Sequence, residues 1–96
     1  MQLTKDVLLK IGFKCDYPDR SLCNFYIYNL QKPEYKINIS TQYKPYSNKI
    51  QFSVNCFLCN DKGIVIKQAS LSDIQTTEEL QQIIRLCNID FNIDIK

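Results

Sequence analysis

Histidine and tryptophan are absent from this chain, glycine occurs only at Gly12 and Gly63, and no apolar run approaches the roughly 20 residues that cross a bilayer as a helix. Each shortage excludes something. Without His, no side chain ordinarily titrates near neutrality, which rules out His-based general acid–base catalysis, Ser–His and Cys–His nucleophile pairs and His-containing metal sites. Two isolated glycines cannot build a phosphate-cradling loop. Residues 1–12 lack the apolar stretch and small-residue cleavage site of a secretory signal, so the sequence reads as cytoplasmic. Five cysteines, an odd count without a secretory signal, argue against a disulfide framework.

What is present points to a folded domain. The chain has 96 residues, 45% hydrophobic and 23% charged, which suits one domain spanning 1–96 with a core of its own and without metal or disulfide support. Cys56 and Cys59 have the spacing of half a zinc knuckle, with Cys15 and Cys23 as the remaining thiolates. Yet they sit in the apolar run Ile50 to Leu58, and in a strand residues three apart point to opposite faces. Small buried hydrophobes are the expected role of these cysteines, with no metal and no cofactor.

Local signals divide the chain into elements. Thr4 as N-cap, Val7, Leu8 and Ile11 at helical spacing, and Gly12 as a left-handed stop predict a helix over Lys5 to Ile11. Lys14 to Ser21 carries turn chemistry. From Leu22 the period becomes two: Phe25, Ile27 and Asn29 alternate with Tyr26, Tyr28 and Leu30. Beyond the Lys32-Pro33 turn, Tyr35, Ile37 and Ile39 mark a strand with one buried face. Gln42 to Asn48 is predicted as a loop. Ile50, Phe52, Val54, Cys56 and Leu58 then share one face, with Gln51, Ser53, Asn55 and Phe57 on the other. Asn60-Asp61-Lys62-Gly63 is a hairpin signal, returning through Ile64, Val65 and Ile66. Ser70 to Thr77 is polar and leads into a capping box, Thr76 with Glu79, ahead of the stripe Leu80, Ile83, Ile84 and Cys87. Phe91, Ile93 and Ile95 form either a fifth strand or an extended segment laid on the core. The expected fold is α+β: an antiparallel four- to five-stranded meander with an N-terminal and a C-terminal helix covering one face.

Charge is divided unevenly. Residues 1–67 hold ten Lys or Arg against five acids, net +5, whereas residues 68–96 hold two against five, net −3. The acid pairs Asp16/Asp19, Glu78/Glu79 and Asp90/Asp94 fit turn and helix-terminus roles and imply no catalytic pair. Cations and tyrosines interleave most densely from Lys32 to Lys49. Within that stretch Lys36, Tyr43, Lys44, Tyr46 and Lys49 are the candidate partner-binding residues, with Tyr43, Lys44, Tyr46 and Lys49 placed in or beside the loop between the second and third strands. The same residues could serve a single-stranded nucleic acid, although a net charge of +2 is small for a dedicated binder.

Two stretches carry a resemblance, Leu3-Thr4-Lys5-Asp6-Val7-Leu8-Leu9-Lys10-Ile11-Gly12-Phe13 and Thr76-Thr77-Glu78-Glu79-Leu80-Gln81-Gln82-Ile83-Ile84. With the heavy use of Ile, Asn, Lys and Tyr, they resemble small proteins of phages and mobile elements of AT-rich bacteria, a group that includes anti-CRISPR inhibitors. The resemblance implies a non-enzymatic inhibitor that occupies a bacterial nuclease effector or its RNA–protein complex. It assigns no individual residue. The alternative is a single-stranded nucleic-acid-binding domain.

Overall fold

The computed structural model of the chain describes residues 1–15, 27–44 and 49–93, with residues 42–44 and 49 described by their backbone. Helix α1 (Lys5–Ile11) is followed by strands β1 (Lys14–Cys15), β2 (Ile27–Lys32), β3 (Tyr35–Lys44), β4 (Lys49–Cys59) and β5 (Val65–Ile74), and then by helix α2 (Thr77–Leu86). The strands form one antiparallel sheet in chain order.

Register sorts the side chains into two faces. Cys15, Tyr28, Ile39, Val54 and Leu71 stand in one row across all five strands, and Leu30, Ile37, Cys56 and Ala69 in the next. This is the face that the helices cover. Leu8 of α1, Phe13, and Leu80, Ile83 and Ile84 of α2 join Ile37, Ile39, Phe52, Val54 and Cys56 in a single core. The opposite face is polar, with Lys14, Asn29, Asn38, Asn55 and Ser70 in one row and Gln31, Lys36, Phe57 and Gln68 in another.

Both helix starts follow from local chemistry. The Thr4 hydroxyl accepts from the Val7 amide at 3.1 Å, and Gly12, at φ 120°, ends α1 with its N–H on the carbonyls of Leu8 and Leu9. Few residues other than glycine hold that φ. At α2 the Thr76 hydroxyl accepts from the Glu79 amide at 3.2 Å, while the Glu79 carboxylate reaches back to the amide of Gln75 and the hydroxyl of Thr76. A backbone bridge between Gln2 and Thr76 brings the two helix starts together, with the Leu3 amide on the Gln75 carbonyl at 2.8 Å. Neither helix is long and apolar enough to cross a membrane, and no other helix occurs among the described residues.

The strands differ from the sequence reading in extent. β3 runs through Tyr43 and Lys44, where a loop from Gln42 was expected, because pairing with Ile50 and Lys49 continues the ladder. Ser70 to Ile74, expected as a polar lead-in to α2, is the second half of β5. A bulge reconciles its polarity with the core: Leu71 pairs with Val54 and Ile74 with Phe52, so Ser72 and Asp73 oppose one residue of β4. Asp73 takes φ 59°, which returns Ile74 to the interior. β1 supplies the fifth strand at its Lys14–Cys15 start, while the rest of the expected turn to Ser21, and Leu22 to Tyr26, lie outside the described residues. The tail is an extended segment on the core. Gln81 holds it by donating to the Phe91 carbonyl at 2.8 Å and accepting from the Ile93 amide at 2.6 Å, and the Phe91 ring sits 6.4 Å from that of Tyr35. Ile95 lies outside the described residues.

Ile84, fully buried on α2, ties that helix to the sheet. Ile84→Ala should lower stability by about 2–5 kcal/mol in urea denaturation. Arg85→Ala, exposed on the next position of the same helix, should change it by less than about 0.5 kcal/mol.

Candidate binding surfaces

Of the five residues singled out in the sequence, Lys36 stands at one end of β3 and Tyr43 and Lys44 at the other. Lys36 is half-buried near the start of β3, directly opposite Phe57 and Gln31. Tyr43 and Lys44 stand at the other end of β3, paired with Ile50 and Lys49, and Tyr46 lies outside the described residues. Eight positions of strand separate Lys36 from Lys44, about 26 Å at 3.3 Å per residue. Interleaving that is dense along the chain is therefore spread over both ends of a long hairpin. Tyr35, its neighbour in sequence, is a core residue. Burial raises the pKa of its phenol, reinforced by the negative charges of Glu34 and Asp90.

Around Lys36 the polar face holds a concavity of about 410 Å³. Its lining includes Lys32, Lys36, Asn38, Phe57, Cys59 and Val65. Two turns shape it. The β2–β3 hairpin brings Lys32 and Pro33 to its rim, and the Glu34 carbonyl accepts from the Cys59 amide at 2.8 Å. On the β4–β5 side the Asn60 side-chain oxygen accepts from the amides of Lys62 and Ile64, both at 2.9 Å, and Gly63 at φ 79° closes the turn. Asn38 is one of the lining residues, and its Oδ1 atom is buried and accepts no hydrogen bond from any described residue.

The second surface is the β5 edge. Ile64, Val65, Ile66 and Leu71 are 58, 49, 61 and 41% exposed, and Leu86 at the end of α2 is 63% exposed. The end of α2 meets β5 through the following residue, Cys87, whose thiol contacts the Lys67 carbonyl at 3.7 Å. Edge strands are usually blunted with charge; β5 carries only Lys67 and Asp73.

The cysteines separate as their strand spacing predicts. Cys56 is in the core, whereas Cys59 lines the concavity, and no group of metal-ligating side chains comes together among the described residues. Burial pushes the Cys56 thiol up to about 12, with the neighbouring Cys87 adding to it, and burial also raises Cys87. The residues that sequence reasoning missed, Phe57 and the β5 apolar positions, had a signal: Phe57 is the one aromatic in the otherwise polar half of β4. No protein-family model, curated protein or solved structure matches the chain.

A thiol whose folded pKa lies above its unfolded value stays protonated while the unfolded thiol ionises, so stability is intact below about pH 9 and is lost as pH rises towards about 12. Tyr35 acts in the same direction at higher pH. The urea midpoint should accordingly fall above about pH 9, and less steeply in Cys56→Ala. Iodoacetamide at neutral pH should modify Cys59 well before Cys56 or Cys87, as read by peptide mass spectrometry. Equal rates at Cys56 and Cys59 would contradict the assigned burial.

Proposed function

We propose that this chain is a non-enzymatic protein that binds a protein partner stoichiometrically, docking through the β5 edge. The observation that carries this reading is the exposure of four apolar side chains at the start of and along one edge strand, Ile64, Val65, Ile66 and Leu71. A strand with free N–H and C=O groups on its outer edge accepts an extended segment by strand addition, and flanking apolar side chains give that segment anchors. The partner is thus a protein offering a β-strand or extended loop with apolar side chains. The resemblance of both chain ends to small phage and mobile-element proteins, a group that includes anti-CRISPR inhibitors, makes a bacterial defence nuclease, alone or as its RNA–protein complex, the class of partner to try first.

The basic, tyrosine-containing stretch of the sequence with Tyr43, Lys44, Tyr46 and Lys49 offers a rival docking surface on the same chain. Affinity measurements against a captured nuclease partner separate the two. Ile66→Lys should weaken binding at least tenfold without changing the circular dichroism spectrum, and saturation should occur at one chain per partner. Loss of about 2 kcal/mol or more in Tyr43→Ala/Tyr46→Ala, with Ile66→Lys silent, would move the surface to the hairpin end. Inhibition at far less than one chain per target would overturn a stoichiometric binder altogether.

A further inference from the structure

The concavity on the polar face is a separate site, and its geometry points to a nucleotide unit, one base with its phosphate, as the ligand. Three features converge there. Phe57 contributes an aromatic side chain to a lining that also holds Lys32, Lys36, Asn38, Cys59 and Val65, and an aromatic ring is a stacking platform for any base. Asn38 lines the same concavity, and its buried Oδ1 accepts no hydrogen bond from a described residue, so a turn of the amide towards a ligand would gain one. A buried acceptor without a donor is costly, and the N–H groups on the edge of a base are donors of the right kind. Lys36 stands directly across the strand pair from Phe57, and Lys32 lines the same rim, so two cations flank the stacking position where a phosphate would follow the base.

Size and charge narrow the ligand. About 410 Å³ lies within the roughly 300–1,000 Å³ of small-ligand sites and accommodates one nucleotide rather than a folded nucleic acid. Glu34, in the turn between the two lysines, limits the net positive charge, which disfavours a site that depends on phosphate alone. Recognition therefore rests on the base, with the phosphate as support. The unit can belong to an unpaired single strand or to a free nucleotide, which share this chemistry.

The test is fluorescence anisotropy with a labelled eight-nucleotide oligouridylate, alongside NMR titration with uridine monophosphate. Binding of the oligonucleotide should weaken with salt. Phe57→Leu should reduce affinity at least tenfold, and Lys36→Gln should lower the salt slope by the equivalent of about one phosphate contact. Oligonucleotide binding without mononucleotide binding assigns the site to single strands; comparable binding of both assigns it to free nucleotides. Absence of binding by either probe overturns the inference. So does binding that is unchanged in folded Phe57→Leu and Lys36→Gln proteins, or matched by polyglutamate, which supplies negative charge without a base. Leu71→Gln, on β5 at the side of the sheet away from the concavity, should weaken protein docking and leave nucleotide binding unchanged, so failure of this site and failure of protein docking are read independently.

Discussion

The central pairing of β3 with β4 governs the rest of the molecule. Ten cross-strand pairs bind these strands in continuous register, and every second position presents an apolar side chain to one side: Ile37 and Ile39 from β3, Phe52, Val54 and Cys56 from β4. Such a sheet is unstable with that face in water, since burial of each large aliphatic side chain is worth about 1.5–3 kcal/mol. Helices α1 and α2 and the tail through Ile93 supply the cover, and the Gln2–Thr76 bridge sets the two helix starts side by side. Among the described residues all the covering elements lie on one face, which leaves the other face and the outer edge of β5 for other uses.

What was legible in the sequence was what depends on neighbours in the chain. Both helices could be read because their caps are local: Thr4 with Val7, and Thr76 with Glu79. The one-sided pattern of β3 and β4 was equally plain, since alternation is a local property. Strand length was not, because it is decided by pairing with distant residues. Gln42 to Lys44 look like loop and extend β3; Ser70 to Ile74 look like a linker and complete β5 through a bulge at Asp73. The tail's choice between strand and packed segment turned on Gln81, ten and twelve residues away from its two partners.

The candidate site was less legible than the fold for the same reason. Lys36 and Lys44 are close in sequence and on one strand, yet an extended strand is the conformation that separates residues most. In contrast, Lys36 and Phe57 are 21 residues apart in sequence and directly opposite in register. Phe57 betrayed itself only as an apolar residue on the wrong side of an amphipathic strand. Exposed apolar residues of β5 gave no such sign, because Ile64, Val65 and Ile66 read as an ordinary returning strand until the sheet order showed that nothing lies beyond it among the described residues. The edge proposed for protein docking and the concavity proposed for a nucleotide thus both lie on what one-sided helix cover leaves exposed among the described residues.

Amide hydrogen exchange followed by NMR tests the open edge most directly. β3 and β4 are flanked on both sides, so the amides of Ile37, Ile39, Val54 and Cys56 should exchange only through global unfolding. An open β5 edge predicts alternation along Lys67 to Leu71, with amides bonded to β4 protected and those pointing outward exchanging orders of magnitude faster. Uniform protection along β5, matching that of Ile39, would contradict it and mean that the edge is already paired in the isolated protein.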